Sequence, residues 1–166
     1  MDLFEAIEKR ASVRDLRPAD IPDADLNRIL DAGRRAPSGY NRQPFEFVII
    51  RDPDALRKLA ESQACIGDVN TAIAVVASPE TSKYWLEDLS AATENMLLAI
   101  TALGYASVWV EGRILPHEEE LKQMLGVPQN LRLMVVLPVG RAAGPVAQKE
   151  KRPLEQVVYR ERYGNR

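Results

Sequence analysis

The chain predicts an α+β fold, a mixed sheet with helices around it, on three observations. Helical periodicities alternate along the chain with short apolar runs, and at least four of those runs have strand length. Pro and Gly punctuate nearly every change of pattern. With 46% apolar and 28% charged residues over 166 positions, the chain can bury a sizeable core, so a single domain over residues 1–166 is expected.

Leu3, Phe4 and Ile7 recur at helical spacing and predict a short first helix, which runs into the cationic stretch Lys9-Arg10-Ala11-Ser12-Val13-Arg14-Asp15-Leu16-Arg17. Pro18 and Pro22 bracket a turn. Asp23 or Asp25 can then cap a helix with Leu26, Ile29, Leu30 and Gly33 on one face, ending at Pro37. Phe45-Glu46-Phe47-Val48-Ile49-Ile50 predicts a strand buried on at least one side, and Pro53 starts a helix carrying Leu56, Leu59 and Ala60. Thr71 to Ala77 predicts a second buried strand.

Lys83 to Leu103 is the longest periodic segment, with Trp85, Leu89, Ala92, Met96 and Ile100 on one face. Ala91, Leu98, Ala99 and Ala102 make its second half apolar nearly all round, which predicts burial on more than one side, in the domain centre or in a subunit interface. Gly104 ends it. Ala106 to Val110 predicts a short strand, Pro116 to Leu125 a short helix, and Leu131 to Val139 a third long strand. From Lys149 onward Pro153, Leu154, Val157, Val158 and Tyr159 form a tail with no clean terminator, expected to pack on something outside its own compact body.

The net charge of −2 gives no reason to expect nucleic-acid or membrane binding. It is unevenly spread: from Arg141 onward seven Lys or Arg stand against three Glu, a basic end that could hold an anion. Cys65 is the single cysteine, which excludes an internal disulfide framework, fits a reducing cytoplasm and reads as a small buried apolar residue. Met1-Asp2-Leu3 opens no secretory h-region, and no apolar run has membrane-spanning length, so a cytoplasmic location is expected.

Two stretches carry chemistry. Ala36-Pro37-Ser38-Gly39-Tyr40-Asn41-Arg42-Gln43-Pro44-Phe45 places a close-approach glycine and three uncharged polar side chains between stiffening prolines, the make-up of a binding loop as well as of an ordinary helix-to-strand turn. Arg10, Ser12 and Arg14 alternate, and in an extended segment they would aim two guanidiniums and a hydroxyl at one target, suited to a phosphate or a ring carbonyl. No dinucleotide fingerprint, no P-loop and no metal-spaced Cys or His cluster is present. His117, the only histidine, sits beside Glu118, Glu119 and Glu120 and is expected to be solvated, so enzyme chemistry here would rest on a cofactor.

Four blocks in order resemble the nitroreductase family of flavoproteins: Arg10-Ala11-Ser12-Val13-Arg14, the Ala36 to Phe45 loop, Gly104-Tyr105-Ala106-Ser107-Val108-Trp109-Val110-Glu111-Gly112, and Lys151-Arg152-Pro153-Leu154-Glu155. The resemblance implies a four- to five-stranded mixed sheet flanked by helices, in an intertwined homodimer with two FMN sites at the interface and the tail from about residue 149 packed on the partner. It assigns Arg10, Ala11 and Ser12 to the ribityl phosphate and its neighbourhood, and Arg14 to the pyrimidine edge of the flavin. Pro37, Ser38, Gly39 and Asn41 would reach the same FMN from the other subunit, Glu111 and Gly112 would offer backbone N–H groups near N5 and O4, and Lys151 and Arg152 would complete the phosphate site. No catalytic side chain is implied beyond these orienting groups, and no metal.

The activity implied is FMN-dependent transfer of electrons from NADH or NADPH to a nitroaromatic, a quinone or a similar electrophile in a ping-pong sequence. Reductive dehalogenation, flavin breakdown, or flavin binding without significant turnover are the alternatives. The chain is short for the family, with only a brief turn between Ala77 and Lys83 where longer members have room for substrate-covering helices, so an exposed flavin is expected. Tyr40 and Arg42 stand where small or apolar residues are commoner, which narrows the expected pocket or brings charge to it.

Overall fold

The computed structural model describes residues 1–166. Ala72–Ala77 (β3) is the strand about which the rest is laid: all six of its residues are buried, as an uninterrupted apolar run requires. Phe45–Ile50 (β2) pairs with it antiparallel, Phe45 opposite Ala77 and Ile50 opposite Ala72, and Arg132–Pro138 (β4) pairs antiparallel on its other side. The β3–β4 register shifts between Val75, opposite Val135, and Val76, opposite Leu133, so Met134 is the extra residue of a bulge. Met134 and Val135 accordingly point into the same half of the core.

The sheet separates two apolar clusters, and the period-two alternation of β3 feeds both. Ala72, Ala74 and Val76 face Leu56 and Leu59 of the helix Pro53–Ala60 (α3) and Leu121 of the helix Glu118–Leu125 (α5). Ile73, Val75 and Ala77 face Ile29 of the helix Asp23–Arg34 (α2) and Leu89, Met96 and Ile100 of the helix Trp85–Ala102 (α4). Gly33 lets α2 and α4 pack closely: a Cβ there would lie 2.8 Å from Met96 Cγ. Local chemistry starts and stops these helices. Asp52 caps α3, its carboxylate accepting from Ala55 N at 2.8 Å ahead of Pro53, and Gly126 closes α5 in the left-handed region, with φ of 69°.

Three expectations need correction. The sheet has three regular antiparallel strands rather than four or five, and Ala106 to Val110 meets β4 and the residues just after it only at isolated antiparallel bridges, Val110 with Val136 and Ala106 with Gly140. The register between those bridges sets Val108 opposite Pro138, which has no N–H to donate, so the ladder is broken at its middle rung. The mixed character reduces to one parallel bridge, Ser12 with Ser107, and Leu16–Arg17 (β1) pairs apart from the main sheet with Arg141–Ala142 (β5). Neither Asp23 nor Asp25 caps α2, which Pro22 precedes without a side-chain cap; Asp23 takes Arg51 at 2.9 Å and Asp25 accepts from Tyr105 Oη at 2.9 Å. The N-terminal helix Leu3–Lys9 (α1) does form, but only Ala6 is buried, while Leu3, Phe4 and Ile7 stand exposed.

Candidate active site

The chain leaves α1 at Arg10 in extended form. Val13 N donates to Ser107 O at 2.9 Å, which lays this segment along residues 106–110. Side chains then alternate: Val13 packs against the core and Ala11 is half-buried with it, while Ser12 and Arg14 face out. Ala11 joins Val13 in lining a separate hollow with Tyr105 and Val146, so its methyl does not face the side that Ser12 and Arg14 share. Arg10 is half-buried, with Nε 3.5 Å from Glu94 Oε1 on α4, and its carbonyl accepts from Gln148 Nε2 at 2.9 Å.

Arg14 reaches a cavity of about 500 Å³ whose other walls are Gln63 and the run Val108, Trp109, Val110, Glu111, Gly112 and Arg113. The interrupted strand makes this wall: past Val110 the backbone turns away from β4 and presents Glu111 and Gly112 to the opening. Trp109 Nε1 donates to Glu111 Oε2 at 2.9 Å, which holds the carboxylate against the indole edge. Ser107 Oγ, immediately behind, is buried without a hydrogen-bond partner. Cys65, two residues past the cavity-lining Gln63, is 3% exposed; burial pushes its thiol up against the weaker pull of a Gln63 hydrogen bond and the Arg14 charge, so it stays a neutral thiol.

The Pro37 to Pro44 loop is a second, separately built feature. Ser38 Oγ accepts from Gln43 N at 2.9 Å, and Gly39 N donates to Asp88 Oδ1 at 2.9 Å, the other carboxylate oxygen accepting from Ser82 Oγ at 2.9 Å. Asp88 is itself buried in the first turn of α4. These bonds hold Tyr40, Asn41 and Gln43 in the left-handed region, with φ of 54°, 56° and 48°, each a cost that surrounding structure must offset. Gly39 is required by contact rather than φ, since a Cβ there would sit 2.5 Å from Tyr84 Cδ2. Arg42 donates to Thr81 O at 3.1 Å and Tyr40 stands exposed.

Within one chain, then, Arg14, Glu111 and Gly112 meet in one cavity, and Ser12 shares the face of Arg14. Pro37, Ser38, Gly39 and Asn41 do not line that cavity, nor do Lys151 and Arg152, which lie in the exposed tail, where Arg152 donates to Gln156 O at 2.8 Å. Sequence reasoning singled out none of Gln63, Asp88 or Arg113. Gln63 and Asp88 carry no local signal because each meets the site across the fold, whereas Arg113 follows Glu111-Gly112 directly and could have been read from its place in that block. His117 is exposed, as expected.

A model of the nitroreductase family matches residues 7–88 and 70–141. An Archaeoglobus fulgidus protein provisionally named NADH dehydrogenase/NAD(P)H nitroreductase is 38% identical over 149 residues, 84% of each chain. An iodotyrosine deiodinase from Thermotoga neapolitana is 27% identical, over 95% of this chain and 96% of that protein. The crystal structure of a Parabacteroides distasonis protein, provisionally named NADH dehydrogenase/NAD(P)H nitroreductase, matches with a TM-score of 0.88 at 29% identity, over 95% of this chain and 97% of that one. Together with the fold, these matches place the chain in the nitroreductase family.

Proposed function

We propose that the protein is an FMN-dependent oxidoreductase that passes electrons from NADH or NADPH to a nitroaromatic, a quinone or a similar acceptor, and that it works as a homodimer. The observation that carries this reading is the Arg14 cavity. A flavin ring suits a cavity that combines an aromatic wall, backbone groups and a cation, and Trp109 to Gly112 and Arg14 supply these around about 500 Å³. The buried, partnerless Ser107 Oγ behind that wall is a spare donor in the same neighbourhood. The residues therefore fit the group.

When bound, FMN supplies the redox chemistry. This chain's residues would bind and orient it: Arg14 would set a positive charge at the ring's pyrimidine portion, and the Glu111-Gly112 backbone would offer N–H groups to the ring. Arg10, Ser12, Lys151 and Arg152 serve the phosphate, whose charge near −2 calls for several cationic groups. The Pro37 to Asn41 loop does not reach the cavity within its own chain, which supports its delivery from a second copy.

A second reading is reductive dehalogenation, favoured by the similarity to the Thermotoga neapolitana deiodinase. Only residues 78–84 join β3 to α4, too few to cover a substrate, which favours the open reductase over it. The deciding experiment is oxidation of NADH or NADPH by the purified yellow protein with a quinone, a nitroaromatic or an iodophenol supplied in turn. Parallel double-reciprocal plots with a quinone support the proposal; turnover with the iodophenol alone supports the second reading; and no turnover with any acceptor leaves a flavin-binding protein.

A further inference from the structure

Two guanidiniums line the cavity, and the proposed function assigns Arg14 to the flavin edge. Arg113 is left over. It lines the cavity next to Gly112, is exposed, and makes neither a hydrogen bond nor an ion pair. The cavity thus holds two guanidiniums against one carboxylate, and Glu111 is already engaged by Trp109 Nε1 at 2.9 Å. Gln63 adds an uncharged amide to the same lining. An unspent guanidinium at the rim of a site walled by an indole suits a flat ligand with an anionic substituent, because its planar fork meets two oxygens of a carboxylate or sulfonate at once.

From this we infer that Arg113 is the specificity-determining residue for an anionic acceptor, a quinoid or aromatic molecule bearing a carboxylate or sulfonate. The inference rests on the proposed function. It assigns the anion to the acceptor rather than the electron donor because a nicotinamide donor carries its nearest negative charge a full ribose away from the reacting ring. A substituted aromatic acceptor carries it directly on the ring that must enter the cavity Arg113 lines.

The test compares a naphthoquinone with its sulfonate on the protein as purified, on Arg113→Gln and Arg113→Lys, and on Arg28→Gln, a control whose exposed guanidinium pairs with Asp25 on α2 at 3.6 Å. Quenching of tryptophan fluorescence reads binding, since Trp109 lines the cavity whether or not flavin is retained. Steady-state kinetics reads the KM ratio, sulfonate over neutral quinone. Loss of one charge-assisted contact should raise the dissociation-constant ratio and the KM ratio on the order of tenfold in Arg113→Gln, with partial recovery in Arg113→Lys. Arg28→Gln should leave both ratios where they were, and added salt should weaken sulfonate binding by the native protein more than by Arg113→Gln. Equal changes for both quinones, or none, would overturn the inference. So would a rise confined to the KM for NADPH, which would move the anion to the donor. Absence of bound flavin would defeat the proposed function, and the quenching titration would still decide the role of Arg113.

Discussion

Arg14 and Asp88 show how single side chains divide the work. Arg14 has no partner within the chain and is free to act on a ligand, whereas Asp88 is spent on Gly39 N–H and Ser82 Oγ and acts by holding a loop. If Arg14 sits at the pyrimidine edge, its charge favours the reduced flavin. Arg14→Gln should then make bound FMN harder to reduce by about 1–2 kcal/mol, read by reductive titration against a reference dye. Arg152→Ala should weaken FMN binding with the potential unchanged, because a phosphate contact serves both redox states alike. A midpoint unmoved in Arg14→Gln would mean that Arg14 does not lie at that edge. Asp88→Ala leaves Gly39 N–H and Ser82 without their acceptor and should cost about 1–3 kcal/mol in denaturant unfolding while weakening FMN retention. A variant as stable and as yellow as the native protein would show the loop to be held by other means.

Among the elements, α5 is clamped to β4 by one carboxylate. Glu118 accepts from Arg132 Nε at 2.7 Å and Nη2 at 2.9 Å, and from Leu133 N at 2.9 Å. Burial pushes Glu118 up, but the hydrogen bonds from Arg132 and Leu133 outweigh it and hold the carboxyl below its ordinary value of 4.5. A lowered folded value contributes stability that is fully present above the unfolded value and is lost as pH falls through the folded one. Glu118→Gln should therefore cost about 1–2 kcal/mol near neutrality, limited because the Arg132 side chain is 41% exposed and screened. The gap should close as both proteins are titrated below about pH 4.5, and chemical denaturation at several pH values measures it. A gap of constant size would show that Glu118 contributes by packing and not by its charge. The tail is the opposite case. Leu154 is 75% exposed and Tyr163 91%, so removing residues 149–166 takes nothing from either core cluster. The truncated chain should keep its far-ultraviolet circular dichroism and lose FMN affinity roughly tenfold or more with Lys151 and Arg152 gone.

Taken as one body, the chain leaves large apolar side chains of α1 exposed. Leu3, Phe4 and Ile7 on α1 stand out beside the half-buried Leu98 and Ala99 on α4, and a hollow of about 360 Å³ runs between the two helices. No helix is long and apolar enough to cross a membrane. The cover we expect for this face is a second copy, as the proposed function has it. Light scattering in dilute solution should give about twice the 18.6 kDa chain mass, and Phe4→Asp should shift the population toward monomer and release flavin with it. A native protein that stays monomeric would refute the shared site, whatever its colour.

Period and punctuation by themselves determined β2 at Phe45–Ile50, the start of α3 at Pro53, the central burial of β3 and the outlines of α2 and α4. These follow from local physics, since alternating or helical spacing of apolar residues and a proline at a helix start act over a few residues. The resemblance carried by the four blocks, and not local physics, pointed to Arg14, Glu111 and Gly112, which line one cavity. What lay beyond both depended on residues far apart in the chain. Pro138 breaks the fourth strand only because the fold sets it opposite Val108, and that break makes the wall of the cavity. Gln63 joins Arg14 in that cavity, and Asp88 reaches Gly39, across the fold, with no local pattern to announce either. The apolar spacing of α1 was real, yet spacing records only that a face is apolar. Which surface covers that face is decided by where the packing of elements distant in the chain brings another apolar surface to meet it.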